Sequence, residues 1–558
     1  MNRYIFLLAC TIFFNLESSN PTAFDTSFGN PNGYVDQSLG TTSAASQNRI
    51  LVQDDGKILS IGTYFTSSNN NEILIARYLP DGTLDGSYGY NGIVQQQIIG
   101  STSAYDAALQ SDGKLIIVGT TNISALLFVA RFTTDGLLDT STTNGNVPFV
   151  SGVGYVTAAV STPSATNYNA ATGVAIDPIT GNIFVDGYSQ FNSNSYRQVF
   201  VYSYMSNGSP NTIFNGGAVT FPAPSGYTQT TGGAQIAVQS DGSVVVVGAV
   251  TATASTANIV WQMFTARYLS TGALDTTSFA TPNGYTIFPN STYSYSIGRG
   301  IVLQPNGSIV VSANTGTLSA QQPMVARYLN NGNLDTSFAH GAGYTVTTIP
   351  SSTTANAQTV SLEPSGKIIS AGYATFTGSI NNILLVRYNP DGTLDTTISP
   401  TGYMLSTING ASTRLNGNAL QSDGKLLVTA QYFATPNWQM ATIRYLGGNI
   451  LQGSTSAISA YGSNANLFQE FLYVDFYAQI ITDATAQAAT VSAINTILAE
   501  YAADYVDQQN FNYGLYLYLL KDQLAVAKAD LLASYGDVGI NQFFIYLNDR
   551  IAKLSTPA

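Results

Sequence analysis

Short apolar segments alternate with polar, glycine-containing turns through most of the chain. In AALQSDGKLIIVG, for example, two apolar runs of strand length flank the turn SDG. Such runs, bounded by turn residues, indicate β-hairpins, and a small polar residue before glycine favours the positive φ angles of a tight turn. The hairpin recurs seven times, with turn glycines Gly56, Gly113, Gly181, Gly242, Gly307, Gly366 and Gly424.

Two further apolar runs complete each repeat. After a loop of variable length comes a third run that usually ends in Arg-Tyr, as in ILIARYL, and then a second turn such as PDGTLD. A final short run, such as GYNGIVQQQI, closes the unit. Four strands of ordinary length per repeat match the blade of a β-propeller.

The seventh repeat lacks its final part, and that part stands at the beginning of the chain as FDTSFGNPNGYV. A ring gains from this arrangement because the first strand completes the last blade, whereas an open solenoid would keep an unpaired edge at each end. We therefore expect a mainly β protein in which residues 20–449 form a seven-bladed β-propeller closed by an N-terminal strand.

The repeated pattern LQSDGK, ARY and DGTLDTSFG resembles the delta-60 repeat family of bacterial exported proteins. The resemblance covers about three quarters of the chain. It implies a propeller-like fold and a location in the envelope or outside the cell. It implies no activity and no site residues.

An arginine in the third strand and an aspartate in the following turn each occur in six repeats. In the third repeat Ser203 and Asn211 replace them together. Because a buried arginine without its carboxylate is costly, we expect structural salt bridges, with the last one crossing the closure. The predicted pairs are Arg77 with Asp85, Arg131 with Asp139, Arg267 with Asp275, Arg327 with Asp335, Arg387 with Asp395 and Arg444 with Asp25.

The third repeat is also unusual in other positions. Asp186 occupies a strand position held by Ile61, Val118 and Val247 in other repeats. A ligand site would produce such a change, and so would sequence drift with local compensation. The weak candidates for ligand binding are Asp186, Tyr188, Tyr196, Arg197 and Tyr202.

Other residues with possible chemistry have simpler structural explanations. Asp81 and Asp85 could contribute to a calcium site, but calcium needs six to eight oxygens, and Asp81 is better explained as a brace of its own turn. Asp177 and Glu363 replace a glutamine that other repeats carry before the turn, where we expect hydrogen bonding into the turn. A glycosidase pair would require these two carboxyls about 5–10 Å apart. We expect no catalytic residue, metal or cofactor.

From residue 450 the pattern changes to an α-helical one. Glycine becomes scarce and the apolar period approaches 3.6. The pattern predicts a small helical bundle over residues 450–558, with helices at 467–480, 482–508, 513–534 and 540–554. Thr482 or Asp483 is expected to cap the second helix.

Residues 1–19 have the features of a secretory signal peptide. Arg3 precedes an apolar run from Ile5 to Phe14, which is too short to span a membrane. The alternative is a lipoprotein signal, in which LLAC makes Cys10 the lipidated residue. Cys10 is the only cysteine and His340 the only histidine, which excludes cysteine-based zinc sites and thiol catalysis in the mature protein.

The composition fits an exported protein: periplasmic, surface-bound or secreted. Charged residues form only 9% of the chain and the net charge is −12. Because nucleic-acid binding requires clustered lysine and arginine, nucleic acid is not an expected partner. No segment after the leader is long and apolar enough for a transmembrane helix.

Three functions are compatible with these features. The first, which we favour, is a non-catalytic binding or scaffold module of the bacterial envelope that contacts a protein or glycan partner. The second is an enzyme that acts on polysaccharides through carboxylates, and the third is a self-associating structural surface protein. The fold itself does not choose among them.

Overall fold

The computed structural model describes residues 24–37, 44–66, 70–122, 125–141, 147–160, 168–191, 196–255, 258–289, 293–363, 365–421, 424–435, 437–446, 478, 480–505 and 513–555. Two kinds of structure follow one another along the chain. Strands occupy the described segments as far as Tyr445. Three α-helices follow, and the first begins at Ala484. The predicted signal peptide and Cys10 lie outside the described residues.

The described strands pair into antiparallel groups of four, which we call units 1 to 7. Unit 1 contains β2 (Ala44–Val52), β3 (Ile58–Phe65), β4 (Glu72–Tyr78) and β5 (Ile93–Gln96). Unit 2 contains β6 (Thr102–Leu109), β7 (Leu115–Thr121), β8 (Leu127–Phe132) and β9 (Tyr155–Ala158). Unit 3 contains β10 (Tyr168–Ile176), β11 (Ile183–Phe191), β12 (Tyr196–Tyr204) and β13 (Ala218–Phe221).

The remaining units follow the same order. Unit 4 contains β14 (Gln229–Val238), β15 (Val244–Ser255), β16 (Asn258–Tyr268) and β17 (Tyr285–Ile287). Unit 5 contains β18 (Tyr295–Leu303), β19 (Ile309–Thr317), β20 (Ala320–Tyr328) and β21 (Tyr344–Val346). Unit 6 contains β22 (Thr354–Leu362), β23 (Ile368–Phe376), β24 (Ile380–Tyr388) and β25 (Tyr403–Ser406). A single parallel bridge between Trp261 and Tyr295 joins units 4 and 5.

Unit 7 combines the two ends of the β region. It contains β26 (Thr413–Leu420), β27 (Leu426–Ala434) and β28 (Asn437–Tyr445), and its fourth strand is β1 (Tyr34–Gln37). Tyr34 pairs with Ile443, and Gln37 pairs with Met440. The fourth strand of unit 7 is therefore β1, the first strand that the structure describes.

The hydrophobic core lies between successive units. For instance, Leu59 and Ile75 of unit 1 pack in one cluster with Ile117 and Phe128 of unit 2. Unit 7 meets unit 1 in the same way, through Leu427 and Ile58. The second strand of each unit is covered on both faces, which explains why segments such as VVVVG are apolar throughout rather than alternating.

These observations confirm the prediction of a mainly β chain with propeller-like sheets. The face-to-face stacking of four-stranded units is the arrangement expected of propeller blades.

The C-terminal helices are α1 (Ala484–Tyr505), α2 (Tyr513–Tyr535) and α3 (Ile540–Ser555). Of the two predicted caps, Asp483 performs this role, since its Oδ1 accepts a hydrogen bond from the Ala486 backbone N–H at 2.7 Å. The Thr482 hydroxyl instead donates to the Val538 carbonyl. The predicted helix at 467–480 lies almost entirely outside the described residues.

The three helices share one apolar core. Ile494 of α1, Leu524 of α2 and Phe543 of α3 are buried in the same cluster. The described part of the chain contains no helix that is long and apolar enough to cross a membrane.

Candidate functional site

The first strand of every unit is interrupted by an irregularity in its pairing with the second strand. In six units one residue is left without a cross-strand partner, and the break in unit 4, between Thr231 and Gln235, is wider. A bulge of this kind bends the strand and changes the direction of its side chain. The unpaired residues are Asn48, Tyr105, Thr172, Arg299, Gln358 and Asn416.

These bulges surround one cavity of about 270 Å³. We call it the bulge pocket. Each unit contributes one lining residue: Asn48, Tyr105, Thr172, Gln235, Arg299, Gln358 and Asn416. Amide, hydroxyl and guanidinium groups therefore surround the space, and Arg299 is the one charged member of this set.

Two lining residues have buried polar atoms without a hydrogen-bond partner in the described part of the protein. They are Nε of Arg299 and Oγ1 of Thr172. Leaving a buried polar group unpaired costs about 1–3 kcal/mol, so a molecule that reached either atom would offset that cost.

A buried carboxylate lies next to the pocket. Asp106 follows Tyr105 and is only 2% exposed. Its Oδ1 lies 3.3 Å from Nε of Arg49 in unit 1, and its Oδ2 accepts a hydrogen bond at 3.0 Å from the backbone N–H of Val174 in unit 3. Gln235 of unit 4 also donates to it, at 3.5 Å. Asp106 thus connects three other units beside the bulges.

Asp186 lies against the bulge of the third unit. It is fully buried, and neither of its carboxyl oxygens has a hydrogen-bond partner among the described residues. Burial, followed by the repulsive charge of Asp106, raises the pKa of Asp186 to about 8. The carboxyl group is therefore mainly protonated at neutral pH.

Glycine on the neighbouring strand makes room for this carboxyl group. Gly173 pairs with Asp186, and a Cβ atom at Gly173 would lie 2.2 Å from Oδ1 of Asp186. Units 5 and 7 have the same combination, with Gly300 opposite Ser312 and Gly417 opposite Thr429. Units with a larger residue after the bulge have Ile61, Val118, Val247 or Ala371 at the opposite position.

Tyrosines from units 2 and 3 form a cluster that begins at the pocket. The hydroxyl groups of Tyr105 and Tyr168 are 3.1 Å apart, and the ring of Tyr168 lies 6.0 Å from that of Tyr188. The guanidinium of Arg197 lies over the Tyr188 ring at 4.8 Å, and its Nε donates to Gln190. Two of the predicted binding candidates, Tyr188 and Arg197, are therefore in contact with each other near the pocket.

Of the other candidates of the third repeat, the side chains of Tyr202 and Asp186 lie outside this cluster. Tyr202 stacks on Tyr204 at 6.0 Å and meets Phe200 edge to face. Asp186 is buried as described above. The backbone of Tyr196 belongs to β12, but its side chain lies outside the described residues.

All six predicted Arg–Asp pairs lie at ion-pair distance. Nitrogen–oxygen separations range from 2.5 Å for Arg387 and Asp395 to 2.9 Å for Arg77 and Asp85. The others are Arg131 with Asp139, Arg267 with Asp275, Arg327 with Asp335 and Arg444 with Asp25. In the third unit, Asn211 donates a hydrogen bond to the Ser203 hydroxyl at 3.0 Å, so that a neutral pair takes their place.

The arginines also connect neighbouring units. Nη1 of Arg77 donates to the Thr134 carbonyl of unit 2, and Nη1 of Arg131 donates to the Ser206 carbonyl of unit 3. Arg444 donates in the same way to the Pro80 carbonyl, which connects unit 7 to unit 1. Each of these guanidinium groups therefore holds its own aspartate and the turn of the next unit.

The residues before the hairpin turns have two different roles. Asp177 accepts hydrogen bonds within its own turn, from the Ile179 backbone and the Thr180 hydroxyl. Gln110 was expected to do the same, but its amide donates to Ser206 of unit 3 and accepts from Arg131. Glu363 lies 3.5 Å from Arg387. Asp177 and Glu363 are thus each engaged locally.

The turn residue Asp81 accepts hydrogen bonds from the backbone and hydroxyl of Thr83, as a turn brace would. Within the described residues, no three histidine, cysteine, aspartate or glutamate side chains are grouped so that they could hold a metal ion.

Sequence reasoning did not identify the bulge pocket. Its seven lining residues are of five types, so no single residue type marks the position in every repeat. A positional signal was present, since Asn48, Tyr105, Arg299, Gln358 and Asn416 each stand eight residues before the turn glycine of their repeat.

Comparison with known proteins supports a β-propeller repeat family. Five segments match a family model described as a domain of unknown function (DUF5122) beta-propeller, namely residues 53–88, 110–141, 239–277, 304–338 and 363–397. These segments lie in units 1, 2, 4, 5 and 6. No curated protein matches the sequence.

Solved structures give weaker similarity. A protein of unknown function from Dyadobacter fermentans is 9% identical with a TM-score of 0.39, and the match covers 74% of this chain and 98% of that chain. A polysaccharide lyase is 10% identical with a TM-score of 0.40, over 77% and 95% of the two chains. An α-L-arabinanase from Penicillium chrysogenum is 9% identical with a TM-score of 0.33, over 61% and 93%.

Proposed function

We propose that residues 20–449 form a closed seven-bladed β-propeller whose N-terminal strand completes the last blade, and that this propeller is a non-catalytic binding module. The pairing of β1 with β28 supports the closure. So do the hydrogen bonds from unit 7 to unit 1, in which Asn416 donates to the Gln47 carbonyl and Gln431 donates to the Ala45 carbonyl.

The bulge pocket is the observation that carries the binding proposal. Seven strands each direct one side chain to a common cavity, and all seven side chains can form hydrogen bonds. A few polar groups that converge on one concave site are characteristic of small-molecule recognition. The rigid scaffold keeps these groups in place, which reduces the entropy lost on binding.

The size and lining of the pocket favour a sugar as ligand. Its volume of about 270 Å³ lies just below the usual range of ligand pockets, roughly 300–1,000 Å³. One sugar ring fits that scale, and hydroxyl groups match the amides of Gln235, Gln358 and Asn416. The tyrosine cluster around Tyr105 and Tyr168 offers aromatic surface beside the same opening, where a second sugar ring would pack.

The enzyme alternative is less well supported. Asp106 and Asp186 lie beside the bulges, and the charge of Asp106 raises the pKa of Asp186. Both carboxyl groups are buried, however, and neither lines the pocket. A general acid and its partner must reach the bond that they break. We therefore propose binding without turnover.

Other parts of the proposal concern the whole chain. We propose that the repeats belong to the delta-60 type, that residues 1–19 direct export, and that residues 450–558 form a separate helical domain. The low charge content and acidic balance of the sequence support an exported location.

The experiment is a glycan-array screen of the full chain, followed by calorimetric titration of any ligand found. We expect saturable binding that is weakened roughly three- to tenfold by Gln358→Ala and by Thr172→Ala, since each variant removes a hydrogen-bonding group from the pocket. The matched control is Tyr90→Ala, because Tyr90 is 82% exposed and lies outside the pocket lining.

Two results would contradict the proposal. One is a bound glycan whose affinity is unaffected in both folded pocket variants, which would place its site elsewhere. The other is the absence of any glycan binding, which would favour a protein partner or self-assembly.

A further inference from the structure

Arg299 distinguishes the bulge pocket from a purely neutral sugar site. Among the seven lining residues it alone carries a charge, and the others are Asn48, Tyr105, Thr172, Gln235, Gln358 and Asn416. Its Nε is buried and has no hydrogen-bond partner in the described residues. A guanidinium beside a cavity, with an N–H group that has no protein partner, is a suitable site for an oxyanion.

The carboxyl groups near the pocket do not neutralise Arg299. The Asp106 carboxylate is already bound by Arg49, by the Val174 backbone N–H and by Gln235. The Asp186 carboxyl is fully buried, and its raised pKa, about 8 through burial and the charge of Asp106, keeps it mainly neutral at pH 7. The positive charge of Arg299 therefore remains available to a ligand.

The backbone around Arg299 is closely packed, which fixes the point from which the side chain extends. It stands between two glycines. A Cβ atom at Gly298 would lie 3.2 Å from Cβ of Val247 in unit 4, and one at Gly300 would lie 2.9 Å from the Val360 backbone nitrogen in unit 6. The glycines allow strand β18 to approach both neighbours closely. Arg299 is thus held on a strand with little freedom to shift.

The groups beside Arg299 are suited to a hydroxylated ligand. Gln235 and Gln358 come from the units on either side, and each amide can donate to and accept from hydroxyl groups. A molecule that combines one carboxylate with several hydroxyl groups would use both kinds of partner at once.

We infer that the bulge pocket binds an acidic sugar, with the carboxylate of the sugar held by the guanidinium of Arg299. The ligand is either a uronic acid residue of a polysaccharide or a free sugar acid, because both present the same carboxylate and hydroxyl groups. This inference rests on the proposed binding function and specifies its ligand class.

The test compares two pairs of sugars whose members differ only at C6: glucose with glucuronate, and galactose with galacturonate. A uronate oligosaccharide is added as a fifth ligand. Each is titrated into the full-length protein at pH 7. We expect the acidic member of at least one pair to bind on the order of tenfold more tightly, in line with a charge-assisted hydrogen bond. Comparing the affinity of the oligosaccharide with that of the monomer distinguishes a uronic acid residue of a polysaccharide from a free sugar acid as the ligand.

Two variants assign the preference to Arg299. Arg299→Gln should abolish the difference between acidic and neutral sugars while neutral binding remains, and Arg299→Lys should retain part of it because the charge stays but the fork geometry is lost. Thermal unfolding shows whether each variant is folded. If Arg299→Gln does not fold, Arg299→Lys and the wild-type pairs decide the question.

The outcomes separate the two proposals. Equal binding of acidic and neutral sugars, or a full acidic preference in folded Arg299→Gln, would overturn the inference and leave a binding function intact. Failure of every sugar to bind would overturn both.

Discussion

The carboxylate of Asp25 accepts a hydrogen bond from Nε of Arg444 at 2.8 Å, although 419 positions separate the two residues in the sequence. Lys425 adds a second cation at 3.0 Å from the same oxygen. Arg444 also donates to the Pro80 carbonyl of unit 1. The buried guanidinium of Arg444, on strand β28 of unit 7, thus contacts both the beginning of the described chain and the first unit.

Disruption of this pair should destabilise the protein strongly. Removing one partner of a buried ion pair costs about 3–5 kcal/mol where the other charge is left unpaired. Because Lys425 still pairs with Asp25 in Arg444→Met, we expect a loss of at most about 3–5 kcal/mol, measured by denaturant unfolding. We also expect limited proteolysis to release the segment before Gln37 sooner than in the wild type, because the pair anchors that segment.

Arg327→Met is the matched control, since Arg327 pairs with Asp335 at 2.6 Å within one continuous unit. It should lower stability without exposing the N-terminal segment to protease. Identical digestion patterns for the two variants would show that the Asp25 pair has no special role in closure.

The same pair predicts how stability depends on acid. Burial alone would raise the pKa of Asp25, but hydrogen bonds from Ser27 and Lys425 and the charge of Arg444 outweigh it and lower the pKa to about 2. A carboxyl group whose pKa is lowered by folding stabilises the folded state at pH values above its ordinary pKa of 3.8. This contribution is lost as the pH falls towards 2.

We therefore expect the difference in unfolding free energy between the wild type and Asp25→Asn to be largest near pH 7 and to shrink below pH 4. Denaturant titrations at several pH values measure it. A difference that stays constant down to pH 2 would mean that the charge of Asp25 contributes nothing to stability.

The repeat and its salt bridges could be predicted from sequence because the same residues recur at the same places. Arg77 and Asp85 reappear in five other repeats, and their joint replacement by Ser203 and Asn211 already linked the two positions. Both members of each pair other than Asp25 and Arg444 are close in the chain, eight positions apart for Arg77 and Asp85, so local spacing was informative.

The pocket could not be predicted in this way. It depends on where each first strand loses register, which is a property of backbone pairing rather than of residue type. Tyr105 and Tyr168 meet across two units although 63 positions separate them, and nothing in either segment indicates the contact. Tyr188 and Arg197 were noticed only because they depart from the repeat consensus.

Asp186 should make the protein less stable as the pH rises. Its pKa is raised by burial and by Asp106 to about 8, above the ordinary value of 3.8. Between these two values the folded state holds a proton that the unfolded state releases. The free energy of unfolding is therefore unaffected by this group below about pH 4 and falls as the pH rises towards 8. We expect Asp186→Ser to remove this loss and to gain up to several kcal/mol relative to the wild type at pH 8, since a pKa change of one is worth about 1.4 kcal/mol.

Serine is the suitable replacement because unit 5 has Ser312 opposite Gly300, just as Asp186 is opposite Gly173. Asp186→Asn is the control, since it keeps the size of the side chain and cannot titrate. Unfolding free energies at pH 4, 6 and 8 measure the effect. If the wild type and both variants show the same slope, Asp186 does not titrate in this range.

The third unit allows a salt bridge to be built where the repeat has lost one. Phe214 stands three residues after Asn211, just as Phe338 stands three residues after Asp335. In unit 5 the guanidinium of Arg327 lies over the Phe338 ring, so the third unit already has the corresponding ring. Ser203→Arg alone should destabilise by about 3–5 kcal/mol because it buries an unpaired charge, and adding Asn211→Asp should recover most of that loss. A double-mutant cycle by denaturant unfolding measures the coupling. Additive effects of the two substitutions would contradict the view that these positions act as a pair.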